Sequence, residues 1–94
     1  MNPVRDDNSW FVYALGSLRD GGTYTGSTSD LRKRFRQYND GLTTSTKGRR
    51  PLELIYYEMC RNERDAWSRE LFLKSGMGKR YLKNRLKRFL SQMG

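Results

Sequence analysis

The side chains of this sequence best suited to chemistry are few and widely spaced. Tyr13 and Tyr24 stand on either side of Asp20-Gly21-Gly22, Arg34 and Tyr38 follow four residues apart, and the carboxylate of Glu70 comes much later. What they could do is bounded by what the chain lacks. With no histidine and a single cysteine, Cys60, it cannot build a Ser-His-Asp triad, a zinc site or an internal disulfide. Any metal must be held by oxygen. Nineteen Lys and Arg against ten Asp and Glu leave a net charge of +9, which points to a polyanionic partner, with nucleic acid the first candidate.

Glu70 breaks the pattern of its own segment. On a helical wheel it falls between Ala66 and Leu73 on one side and Trp67 and Leu71 on the other. A carboxylate inside an apolar arc is costly unless it is paired or binds a cation. One reading is a salt bridge with Arg69, Lys74 or an arginine of an earlier helix, and the other is a metal ligand.

These residues must be positioned by the elements around them. Trp10 to Leu15 is apolar or aromatic throughout, which predicts a strand covered on both faces and extending towards Ser17. Asp20-Gly21-Gly22 predicts a two-residue turn and Thr23-Tyr24-Thr25 the returning strand of an antiparallel hairpin. Such a turn makes opposed positions sum to an odd number, so Tyr13 and Tyr24 share a face. Bringing them close along the strands requires a bulge or a longer loop. Ser29 is the expected cap of a helix with Leu31, Phe35 and Tyr38 on its buried stripe and Arg32, Lys33 and Arg36 off it. Asn39-Asp40-Gly41 ends that helix, and the loop from Leu42 to Pro51 presents Lys47, Arg49 and Arg50 to phosphates.

Leu52 to Met59 reads as the third strand. Asn62 is the expected cap of a helix running to Ser75, where Gly76-Met77-Gly78 breaks it. A final helix, about Lys79 to Gln92, carries Leu82, Leu86, Phe89, Leu90 and Met93 on one side and a basic face on the other. Trp10 and Trp67 are assigned to the core, and Cys60 is read as a small buried hydrophobe. Ninety-four residues suit one domain, with its core at about 10–90 and residues 1–8 a loose lead-in. No run approaches the roughly 18 apolar residues of a membrane span, and the N-terminus lacks the apolar core of a signal peptide. A cytoplasmic location is the default expectation.

Taken in order, Val12-Tyr13, Tyr24-Thr25-Gly26, Asp30-Leu31 with Arg34, Tyr38-Asn39, and Arg69-Glu70 with Lys74 resemble the GIY-YIG nuclease superfamily. Pro51 to Glu58 and Leu73 to Lys83 are similar to its small, single-domain bacterial members, related to the nuclease domain of the excinuclease C subunit. The resemblance implies an α+β fold, a three-stranded antiparallel sheet flanked by helices, which agrees with the order β-β-α-β-α-α read from the residues. It also implies hydrolysis of phosphodiester bonds with a single divalent cation, Mg²⁺ or Mn²⁺. DNA is the expected substrate, RNA stays open, and repair or recombination is the expected setting. A protein partner and the oligomeric state are left open.

By position, the resemblance makes Tyr13 and Tyr24 the motif tyrosines, Arg34 the catalytic arginine, Glu70 the metal ligand, and Tyr38 a position that is histidine in many members. Asn84 is the only candidate for a late asparagine that braces the site. Lys33, Lys47, Arg49, Arg50 and Lys74 are the expected nucleic-acid contacts. Water is the expected nucleophile, and without histidine a tyrosinate from Tyr13 or Tyr38 would have to take its proton. A reference pKa near 10 means that Arg34 or the metal must lower it. The chain departs from the family pattern at Phe11 and Thr25, neither of which carries a reacting group. Against this stands a plainer set of readings. The tyrosines would be a cross-strand aromatic pair, Arg34 one more member of a solvated basic face, and the whole a non-catalytic nucleic-acid-binding module.

Overall fold

Three strands, β1 (Trp10–Ser17), β2 (Thr23–Thr28) and β3 (Leu52–Cys60), form an antiparallel sheet in the order β2-β1-β3. The helices are α1 (Leu31–Asn39), α2 (Glu63–Lys74), α3 (Gly76–Arg85) and α4 (Lys87–Met93), with a 3-10 turn over Lys47–Arg49. The fold is α+β in the expected order, with the expected last helix divided in two. These descriptions come from a computed structural model that describes residues 8–93; the expected lead-in, but for Asn8, and the side chain of Met93 lie outside the described residues.

β1 is central, which explains why both of its alternating sets are apolar. Val12 and Ala14 pack with Ala66, Leu73 and Leu82 on the face covered by α2 and α3. Tyr13 and Leu15 pack with Tyr38 and Leu52 on the other face, which α1 covers. The two faces therefore place Tyr13 beside α1 and leave α2, with Glu70, on the opposite side of the sheet.

The hairpin turn is wider than two residues. Gly16 pairs with Thr23, the Ser17 amide donates to the Gly22 carbonyl at 2.9 Å, and the Gly21 amide donates back to the Ser17 carbonyl at 2.9 Å. Gly21 sits at φ 73°, a left-handed conformation that suits glycine. Opposed positions still sum to an odd number, so the shared face is kept. Tyr24 now pairs with Leu15 and Tyr13 with Gly26, which makes the two tyrosines diagonal neighbours.

Four local expectations are corrected. Asp30, not Ser29, caps α1, its carboxylate accepting from the Lys33 amide at 3.1 Å. The break after α2 is the single residue Ser75, whose hydroxyl caps α3 by accepting from the Gly78 amide at 3.2 Å, so that Gly76-Met77-Gly78 is the first turn of a helix. That helix stops at Leu86 before α4 begins. Trp67 is no part of the core: it is 60% exposed, as Leu71 is at 54%. α2 buries the Ala66–Leu73 side of its apolar arc, which puts Glu70 at the edge of the buried stripe.

Candidate active site

A cleft of about 730 Å³ wraps the free edge of β2. From the α1 side it is lined by Tyr13, Tyr24, Arg34 and Tyr38, from the strand itself by Gly26 and Ser27, and from α2 by Glu70 and Lys74. The edge strand is what allows residues from both faces of the sheet to meet. Gly26 leaves room on the strand for the Tyr13 hydroxyl, with which a Cβ there would collide.

On the α1 side the groups form one cluster. The hydroxyls of Tyr13 and Tyr38 are 3.0 Å apart, and their rings meet edge to face at 6.0 Å. The Arg34 guanidinium lies over the Tyr38 ring, 4.7 Å from its centroid, and donates to the Gln37 side chain at 3.2 Å. Cation and ring attract each other in this geometry. Tyr13 is only 2% exposed. Burial, with the Tyr38 hydroxyl beside it, pushes the Tyr13 phenol above its ordinary range, and the opposing pull of Arg34 does not overcome this. Arg34 by itself therefore does not bring the Tyr13 phenol below its ordinary range. Tyr24 is partly buried, with its hydroxyl 3.5 Å from the Asp20 carboxylate rather than on Tyr13.

On the α2 side Glu70 is 15% exposed at its side chain and fully partnered. The Ser27 hydroxyl donates to one of its oxygens at 2.6 Å, and the Lys74 ammonium donates to the other at 2.7 Å. Of the salt bridges the sequence allowed, the one formed is therefore with Lys74, four residues along the same helix. Arg69 turns instead to Glu58 on β3, which it grips through Nε at 2.9 Å and a terminal nitrogen at 2.9 Å. It also stacks on Phe72 and Tyr81 at 5.0 and 4.9 Å. This fork ties α2 to the sheet one residue before Glu70.

The remaining sequence-derived candidates lie elsewhere. Lys33 and Lys47 are exposed and outside the cleft lining. Arg49 pairs with Asp20 at 2.9 Å, and Arg50 donates through Nε to the Lys47 carbonyl at 2.9 Å and towards the Asn39 carbonyl at 3.3 Å. Both therefore hold the loop against the hairpin and the end of α1. Asn84 is exposed on α3 and does not line the cleft. The asparagine that braces this fold is Asn39. Its amide donates to the Leu52 carbonyl at 3.0 Å and its oxygen accepts from the Leu52 amide at 3.0 Å, locking the end of α1 to the start of β3.

Sequence reasoning missed several lining residues: Ser27, Thr43, Ser45, Thr46, Lys79 and Lys83. Ser27 carried one signal, its place directly after Gly26 on a strand. The others depend on where a loop and α3 come to rest.

A small α+β domain with a cleft at the edge of its antiparallel sheet is the class this architecture defines. Over residues 9–85 the chain matches the family model of the GIY-YIG catalytic domain, and it belongs to the GIY-YIG family, a membership that implies a nuclease acting on nucleic acid. Within that family it is similar to the UPF0213 proteins. It is 42% identical over 65 residues to one from Clostridium perfringens, covering 68% of this chain and 69% of that protein. It is 38% identical over 84 residues to one from Pediococcus acidilactici, covering 83% and 85%. The solution NMR structure of a UPF0213 protein from Bacillus halodurans superposes with a TM-score of 0.51 at 29% identity, covering 81% of this chain and 83% of that one.

Proposed function

We propose that this protein is a divalent-cation-dependent endonuclease that hydrolyses phosphodiester bonds in DNA, acting in the cytoplasm in repair or recombination. The observation that supports this best is the shared cleft. Glu70, from one face of the sheet, lines the same cavity as Arg34, Tyr13 and Tyr38 from the other.

The donor set fits one kind of cation. Among the described residues no three acidic, cysteine or histidine side chains are grouped as metal ligands, so an all-protein cage is not available. A hard ion such as Mg²⁺ keeps most of its waters and needs only one or two carboxylates beside the substrate phosphate. Glu70 would hold it. Bound there, such an ion would supply Lewis-acid polarisation of the scissile phosphate and stabilise the leaving 3′ oxygen.

The chain's own residues do the rest. Arg34 is held by Gln37 and the Tyr38 ring, so its donors meet charge developing on the phosphoryl oxygens without first being ordered. Tyr13 positions the attacking water or a phosphate oxygen by one hydrogen bond while sharing the other with Tyr38, and the water's proton passes to a non-bridging oxygen of the substrate phosphate. Ser27 fixes the Glu70 carboxylate in one rotamer, the preorganisation that a single-ligand site requires.

A second reading also has an observation in its favour. The Glu70–Lys74 pair is a satisfied ion pair as it stands, which is what a non-catalytic binding module would keep. Incubation of the pure protein with plasmid and branched DNA in Mg²⁺, Mn²⁺ or EDTA separates the two. The nuclease cuts with metal, stops in EDTA, and loses activity by a factor of about 10² or more in Glu70→Ala, as expected when a group aimed at the reacting phosphate is removed. Identical behaviour of wild type and variant in all three conditions would overturn the nuclease reading.

A further inference from the structure

The cleft continues beyond the candidate catalytic groups to a wall formed by α3 and α4, lined by Lys79 and Lys83 together with Leu82, Leu86 and Leu90. Resting on the nuclease reading of the cleft, we propose that this wall binds an unpaired segment of the DNA substrate, its phosphates on Lys79 and Lys83.

Charge is the first support. No acidic residue follows Glu70 in the sequence, while Lys74, Lys79, Arg80, Lys83, Arg85, Lys87 and Arg88 do. The positive field of α3 and α4 is therefore not offset within those helices. Spacing is the second. Lys79 and Lys83 are four residues apart on α3, about 6 Å along the helix axis, which suits successive phosphates of an extended strand. Both are exposed, and with Lys74, whose ammonium is 2.7 Å from Glu70, they line one side of the same cleft. The cations of the 47–50 loop contrast with them, since Arg49 and Arg50 are already spent on Asp20, Lys47 and Asn39.

The apolar part of the wall decides which form of DNA fits. Leu86 and Leu90 are half-buried and line the cleft beside the lysines. A duplex turns phosphates and grooves outwards and would leave such a surface without a partner. A strand leaving its duplex has free base faces to lay against it, the pairing of basic groove and apolar platform found in single-strand binders. Tyr24 adds a partly buried aromatic ring further along the cleft.

Binding measured in EDTA tests this separately from cleavage. Fluorescence anisotropy would follow a labelled single strand, a blunt duplex and a duplex with a single-stranded flap across a range of salt. Lys79→Ala/Lys83→Ala should weaken single-strand and flap binding about tenfold or more near 0.1 M salt and lower the log–log salt slope by about 1.4, at about 0.7 per lost phosphate contact. Blunt-duplex binding should change less than about twofold. Arg32→Ala/Arg36→Ala removes the same charge from exposed positions outside the cleft and should leave the single-strand slope nearly unchanged. Equal effects of the two double variants, equal effects on single strand and duplex, or no effect of the cleft variant would each overturn the proposal. A protein that passes this test yet cuts nothing with Mg²⁺ or Mn²⁺ keeps the strand-binding wall and loses the nuclease reading.

Discussion

The Lys74 ammonium lies 2.7 Å from the Glu70 carboxylate, so the cleft carboxylate already carries a cation supplied by the chain itself. Under the proposed function, a divalent ion on Glu70 would have to displace it, and the freed ammonium would then be placed to meet a phosphate.

Lys74→Gln should therefore tighten metal binding. Lys74 is 51% exposed, and a pair of that kind contributes at most about 1 kcal/mol, so the gain in Mn²⁺ affinity by calorimetry should be about two- to fivefold. Lys79→Gln removes a charge from the same cleft without touching Glu70 and serves as the control. Equal gains in both variants would reduce Lys74 to a contributor to the general field.

Burial and Tyr38 hold the Tyr13 phenol above its ordinary range, so under the proposed function Tyr13 acts in its protonated form. Tyr13→Phe should lower the cleavage rate by the same factor from about pH 6 to about pH 9, well below the ordinary tyrosine pKa of about 10. A loss that grows with pH over that interval would restore the tyrosinate base.

Two glycines should respond in different ways. A Cβ at Gly26 meets the end of the Tyr13 side chain, whereas one at Gly78 meets the Phe72 carbonyl and the Leu73 backbone. Gly26→Ala should cost about 1–3 kcal/mol, the usual range for overpacking, and should reduce activity disproportionately by pushing the Tyr13 hydroxyl off Tyr38. Gly78→Ala cannot be relieved by a side-chain movement. It should lower the Tm by more than about 10 °C, since about 4–8 °C accompanies each kcal/mol in a domain of this size. Thermal melts and cleavage rates on the same preparations would separate the two effects.

Acid should destabilise the fold partly through Glu58. Burial raises its carboxyl pKa, but Arg69 and the Tyr56 hydroxyl outweigh burial and hold it below the ordinary range. A carboxylate lowered in the folded state contributes stability that is present above the unfolded pKa of about 4.3 and is lost as pH falls through the folded value. Glu58→Gln should thus start less stable at neutral pH and show a shallower decline of Tm from about pH 5 to about pH 3. Asp20, held low by the Gly22 amide and then by Ser17 and Arg49, should retain part of the slope. An unchanged slope would remove Glu58 from the account.

Much of the site was readable in the residues because it follows from short-range periodicity. A strand alternates faces every residue and a hairpin preserves parity, so Tyr13 and Tyr24 had to share a face whatever the loop length. The 3.6-residue period put Tyr38 on the buried stripe of α1 with Arg34 beside it. Composition excluded histidine and thiol chemistry, and the ordered motif from Val12 to Glu70 identified the family.

Only the tertiary structure could decide which partners long side chains choose and where helices come to rest. Glu70 had three possible cations within reach of its segment, and the choice of Lys74 follows from Arg69 being drawn to Glu58 across the sheet. Trp67 sits on an apolar arc wider than the surface α2 covers, so which half is buried depends on the docking angle. α3 packs closely on the end of α2 at Gly78, and its path brings Lys79 and Lys83 into the cleft. Local sequence specifies faces and caps through interactions a few residues long, whereas the cleft is assembled across the edge of β2 from segments whose meeting depends on packing.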